Sequence, residues 1–188
     1  KSFLIDKKRF RIASVRAGNV IGGGDWNKSR IIPDCINSIY KRKTVKIRNP
    51  KAVRPWQHVL EPLRGYLTLA NKLSRNPALH GEAFNFGPSP KKVYSVHNML
   101  NEIKKNCKSF KWEKEKKGRN SFGESKLLIL NSNKAKNRLN WKQKLNFKET
   151  IKFTLDWYIK FNSKNKTKVS KITNDQIKEY EKYIKKND

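Results

Sequence analysis

Four side chains of this sequence have the chemistry to grip a phosphorylated ligand: Asn19, Arg30, Arg54 and Asn85. An arginine meets phosphate oxygens with a planar fork of N–H donors that lysine does not offer. Arg54 stands between the turn Asn49-Pro50-Lys51-Ala52 and the stiff Pro55, so its side chain springs from restrained backbone. Arg30 immediately precedes a helical pattern that begins near Ile31, and a helix N-terminus itself favours an anion. Asn19 and Asn85 bring amide N–H donors for phosphate or sugar oxygens. The competing readings are plain surface for the arginines of a basic protein and local turn formation for the asparagines.

Other chemistry-bearing residues resolve less sharply. The run Gly22-Gly23-Gly24 suggests a loop that cradles phosphate, yet it satisfies neither GxGxxG nor GxxxxGK[ST]. His58 is the most tempting lone titratable group; its apolar neighbours Val59 and Leu60 mark it as a structural histidine. Trp26 and Trp56 shape either a site or the core. Cys35 and Cys107 lack a CxxC spacing or a histidine partner, as expected of reduced thiols in a cytoplasm, and no metal site is expected. None of the six tyrosines is followed by lysine four positions on.

The elements that must position these residues alternate between strand and helix, which makes the fold α/β or α+β. Arg9–Ala17 reads as a buried strand, leading into the loop 18–26. A helix is expected over Ile31–Lys41 with Pro33 in its first turn, then a strand at Thr44–Arg48 and an extended segment at Val53–Leu60. Glu61–Leu73 reads as an amphipathic helix presenting Leu63, Tyr66, Leu67 and Ala70 to the core. Further expected elements are a strand at Ala83–Phe86, a helix over Val96–Asn106 capped by Ser95, and strands at Phe110–Trp112 and Lys126–Leu130. A short helix capped by Ser132, a long helix over Phe147–Phe161 and a terminal helix over Asp175–Lys186 complete the pattern. No apolar run reaches the roughly 20 residues of a membrane helix.

The net charge of +30 invites a nucleic-acid hypothesis. Nine of the eleven arginines fall within residues 1–94, whereas residues 95–188 are basic almost wholly through lysine mixed with Asn, Glu and Ser. That mixture describes a solvated face, with non-specific nucleic-acid affinity as a side effect.

Arg16-Ala17-Gly18-Asn19-Val20-Ile21-Gly22-Gly23-Gly24-Asp25-Trp26 resembles the strand and loop that follow the catalytic Tyr-x-x-x-Lys of extended short-chain dehydrogenases. Its Gly-Gly-Gly-Asp-Trp ending is similar to the CDP-glucose 4,6-dehydratases within the NAD-dependent epimerase/dehydratase family. Ile47–Val59, Ala83–Pro88 and Leu128–Trp141 resemble later segments of that family, in order, so the likeness spans about residues 9–160. Gly123 and Asn131 depart from it, standing where the pattern carries His and Asp, and Glu124 matches its acidic position.

The resemblance implies the C-terminal remainder of an extended Rossmann-type short-chain dehydrogenase, mostly its α+β substrate-binding domain. It divides the chain into a last Rossmann strand with active-site loop (1–30), a nucleotide-sugar domain (31–162) and a Lys-rich linker with terminal helix (163–188). It makes Arg54 and Arg30 ligands of the diphosphate, joined by Asn19 and Asn85, and brings Arg16, Ala17 and Gly18 close to the nicotinamide of NAD. Val45 and Ile47 are expected to flank the base. The implied partners are a nucleotide-sugar substrate and an N-terminal Rossmann half carrying the catalytic Tyr and Lys, with no membrane partner. A homo-oligomer is an expectation for the full-length enzyme. The chain alone is expected to be inactive and, with a parallel strand edge uncovered, poorly stable. The alternatives are another nucleotide-sugar dehydratase or epimerase (GDP-mannose, dTDP-glucose) and a non-catalytic basic module that binds polyanions.

Overall fold

The computed structural model describes residues 10–115, 127–163 and 168–186. Its strands form four two-stranded ladders among the described residues. β1 (Ser14–Ala17) pairs in parallel with β6 (Ala83–Phe86), and β2 (Asn19–Ile21) in parallel with β5 (Trp56–His58). β3 (Thr44–Ile47) pairs in parallel with β8 (Lys111–Lys114), while β4 (Val53–Arg54) runs antiparallel to β7 (Tyr94–Ser95). The helices are α1 (Ile31–Tyr40), α2 (Leu60–Arg75), α3 (Val96–Asn106), α4 (Asn133–Leu139), α5 (Phe147–Phe161) and α6 (Val169–Lys186).

Local chemistry accounts for several boundaries. Ser95 and Asn146 each begin a capping box, with Asn98 and Glu149 respectively returning the bond to the cap's backbone N–H. Ser132 differs from expectation: its hydroxyl donates to the Gly87 carbonyl at 2.9 Å instead of capping α4, tying that helix to the end of β6. The segment expected as a strand at 126–130 contributes one bridge, Leu127 to Val53, and Lys126 lies outside the described residues. β1 is exposed rather than buried, with Val15 at 39% exposure, because it pairs with β6 on one side only.

The packed face of α2 is not the one expected. Leu63 and Leu67 point to solvent, and the helix instead buries Glu61, Pro62, Gly65 and Leu69. Gly65 is the reason: a Cβ there would meet the Phe86 ring at 2.4 Å, so the glycine lets β6 lie directly on the helix. Phe86 also meets Tyr66 and Trp141 edge-on, in a cluster with Leu69, Leu79, Phe84 and Leu139. A larger core joins α1, α3 and α5 through Ile36, Met99, Leu100, Ile103, Ile151 and Leu155.

Glu61 is fully buried and fully employed. Its Oε1 accepts the backbone N–H groups of Lys144 (2.9 Å) and Leu145 (2.7 Å), and its Oε2 accepts from the Tyr180 hydroxyl at 2.9 Å. The Arg64 guanidinium lies 3.8 Å away, and the Glu61 carbonyl accepts from the Trp141 indole at 3.2 Å. Burial pushes the Glu61 carboxyl up from its usual value, opposed by these hydrogen bonds and by Arg64. Tyr180 belongs to α6, which begins six residues before the expected helix and is docked, burying Ile172 and Tyr180. Breaking this node from either side has a defined cost. Glu61→Ala is expected to destabilise by about 3–5 kcal/mol and Tyr180→Phe by about 1 kcal/mol. In urea unfolding the double variant should fall short of the sum by about 0.5–3 kcal/mol; strict additivity would mean the two side chains are not coupled.

Candidate functional site

A cleft of about 540 Å³ opens where β2, β3, β4 and the first turn of α1 converge. That volume lies within the range of small-molecule sites. Of the sequence-selected residues, Gly18, Asn19, Arg30 and Arg54 line it, as do Val45 and Ile47. Arg16, Ala17 and Asn85 lie outside its wall, on the β1–β6 ladder, where Arg16 and Asn85 are register partners. Asn85 donates to the Asn131 carbonyl at 3.1 Å. Glu124 lies outside the described residues.

The cationic side chains come from restrained positions. Arg30 is the N-cap residue of α1 and follows Ser29, whose φ of 63° bends the chain into the helix. Its guanidinium reaches the Asp25 carboxylate at 3.4 Å and stays largely exposed. Arg54, in β4, donates to the carbonyl of Val53 at 2.8 Å. Lys46, Arg48 and Asn49 also face the cleft, so four cations oppose the two carboxylates Asp25 and Asp34. Sequence reasoning assigned no role to Arg48. The available signal was strand alternation, which puts Lys46 and Arg48 together on the face opposite Val45 and Ile47. The first turn of α1 adds its positive dipole end to the same wall.

The glycine run serves close packing, and Gly22 also lines the cleft. A Cβ on Gly22 would meet Val59 at 2.7 Å, and one on Gly23 would fall 2.0 Å from Cγ of Trp157. Gly24 has φ 82°, which favours glycine on its own account. Trp157, in α5, therefore seats its indole on the backbone of the loop that carries Asp25, and donates to Thr173 of α6 at 3.1 Å. Tyr158 donates to the Asp25 carbonyl at 2.7 Å from the same helix. Trp26 sits edge-on to Tyr158 and is 42% exposed, outside the cleft, whereas Trp56 is buried and lines it.

His58 is buried below the cleft, edge-on to Phe153, with Nδ1 accepting from the Leu60 N–H at 3.4 Å. Its Nε2 has no hydrogen-bond partner among the described residues. Burial pushes its pKa down to about 4. No group of three or more His, Cys, Asp or Glu able to hold a metal occurs among the described residues.

No family model matches the sequence. The fold is shared with UDP-glucuronic acid 4-epimerase from Bacillus cereus, at 18% identity and a TM-score of 0.65 over 78% of this chain and 45% of that one. It is shared equally with dTDP-glucose 4,6-dehydratase from Bacillus anthracis, at 18% identity and a TM-score of 0.63 over 80% of this chain and 45% of that one. The chain thus has the fold of the extended short-chain dehydrogenase epimerases and dehydratases. In sequence it is similar to the CDP-glucose 4,6-dehydratase of Salmonella typhimurium, 39% identical over 151 residues. The match covers 78% of this chain and 41% of that enzyme, so the chain spans less than half the length of this relative.

Two outcomes test the site's construction. Gly23→Ala is expected to lower the unfolding free energy by about 1–3 kcal/mol through overpacking against Trp157, measured by urea denaturation. For His58, the unfolded chain takes up a proton below about pH 6.5 that the folded chain refuses until about pH 4. Stability therefore falls as pH drops through that window, by about 2 kcal/mol between pH 7 and pH 5. His58→Leu should remove that part of the slope, and an unchanged slope would show that the imidazole is free to ionise in place.

Proposed function

We propose that this chain forms the nucleotide-sugar-binding side of an NAD-dependent CDP-glucose 4,6-dehydratase, a hydro-lyase converting CDP-glucose to CDP-4-keto-6-deoxyglucose and water. The observation that carries this reading is the arginine-lined cleft, in a chain that is 39% identical over 151 residues to the Salmonella enzyme. Arg54 and Arg30, with the N-terminus of α1, hold the two phosphates; Asn19 donates to phosphate or sugar oxygens; Val45 and Ile47 flank the base. Asn85 stands apart from the set because it lies outside the cleft wall; one amide N–H serves the Asn131 carbonyl, leaving its second N–H for the substrate.

NAD is the cofactor of the proposed enzyme. The residues present do not fit its pyrophosphate: the glycine run is filled by Val59 and Trp157. Its binding and the hydride chemistry fall to residues outside this sequence, with Arg16, Ala17 and Gly18 proposed as the approach to the nicotinamide. A cytoplasmic location is part of the proposal. No helix among the described residues is long and apolar enough to cross a membrane, and both cysteines are free.

Titration calorimetry with CDP-glucose tests the reading. Arg54→Ala is expected to weaken binding about tenfold or more, and Arg54→Lys to restore only part of it, because the ammonium keeps the charge but loses the fork. Equal affinity in all three proteins would reject the assignment. The charge of +30 supports one second reading, a polyanion-binding module. That reading predicts affinity for RNA that falls steeply with salt and is insensitive to Arg54.

A further inference from the structure

The wall of the cleft is chemically divided. Arg30, Arg48 and Arg54 make one part cationic, while Ile31, Val45 and Ile47 line an apolar part suited to a flat ring. A carboxylate in a cleft for an anion repels the ligand it should hold, so each of the two present requires a use. Asp25 has one: its Oδ2 faces the Arg30 guanidinium and its Oδ1 accepts from the Asn27 N–H at 3.0 Å. Asp34 differs. It stands in the first turn of α1, three residues from Ile31 and so on the same face, and it lines the cleft beside Pro33. Its backbone N–H donates to the Arg30 carbonyl at 2.9 Å, but no hydrogen bond or ion pair reaches its carboxylate among the described residues.

We infer that Asp34 reads the base of the nucleotide: its carboxylate accepts a hydrogen bond from the exocyclic amine of cytosine, and so selects a cytidine nucleotide over a uridine or thymidine one. The inference rests on the nucleotide-sugar reading of the cleft and adds to it the residue that chooses among sugar nucleotides. An ionised carboxylate only accepts. Cytosine offers it an amine donor at C4, where uracil and thymine present a carbonyl oxygen that a carboxylate repels. A site built to bond one polar group rejects an analogue that leaves the group unpaired, and this discriminates far better than shape alone.

The test is calorimetric binding of CDP, UDP and GDP to the wild-type protein and to Asp34→Asn, Asp34→Ala and Arg54→Ala, each checked for an intact thermal transition. Wild type is expected to bind CDP about tenfold or more tighter than UDP. In Asp34→Ala the CDP affinity falls to the level of UDP. In Asp34→Asn, whose amide donates to a C4 carbonyl, the preference moves towards UDP, while Arg54→Ala weakens both nucleotides alike. A CDP-to-UDP ratio that survives both Asp34 substitutions overturns the inference and leaves the nucleotide reading standing. A wild-type preference for GDP overturns the assignment to cytosine. Failure of all three nucleotides to bind wild type overturns this inference together with the function on which it rests.

Discussion

One buried carboxylate sets the arrangement on which the rest of the molecule is built. Glu61 is the second residue of α2, directly after β5, and its oxygens take up the two backbone N–H groups that lead into α5 and the hydroxyl of α6. Three helices are thereby referred to one group of atoms. A buried charge adds little net stability, since its desolvation offsets what its partners return, but losing any partner is costly. Such a group selects one packing among several that the apolar residues alone would tolerate. Arg64 completes it, with its Nε donating to Tyr180 at 3.1 Å and its guanidinium over the Trp141 ring.

From that node the order passes to the cleft through α5. Trp157 and Tyr158 stand behind the loop 22–26, one by contact with Gly23 and the other by a hydrogen bond to Asp25. The cleft itself runs along β2 and β3, between them and the first turn of α1. Its cations are few, and three of the four are arginines, unlike the lysines that dominate the rest of the surface. The large overall charge raises the local concentration of any anion, whereas the arginine forks choose among anions.

Much of this was legible in the sequence, and the exceptions share a cause. α5 was read to its exact ends because an asparagine cap, a glutamate three residues on and an uninterrupted amphipathic pattern all agree. Arg54 and Arg30 stood out through the family resemblance, with turn chemistry beside the one and a helix start beside the other. The inward face of α2 was misread because hydrophobicity favours Leu63 and Leu67, while the true face uses a glycine and a charge, whose value depends on Phe86 and Tyr180 far along the chain. The packing of the glycine run was hidden for the same reason, since the ring seated on it comes from residue 157. Local patterns report propensity; a close approach between distant segments leaves no local trace. The role of α6 was likewise hidden, because its docking rests on Gln176, Thr173 and Tyr180 bonding to residues of other helices or of the segment before them.

The seat of Trp157 on Gly23 has a meaning for descent. The two positions lie 134 apart in the chain, yet the indole occupies the space where any side chain at residue 23 would begin. Substitution at 23 is costly for as long as the tryptophan remains, whereas the tryptophan can shrink first and leave room behind it. Departure from this pair costs least in one order, so that change at the cleft's loop is gated by a residue in a distant helix.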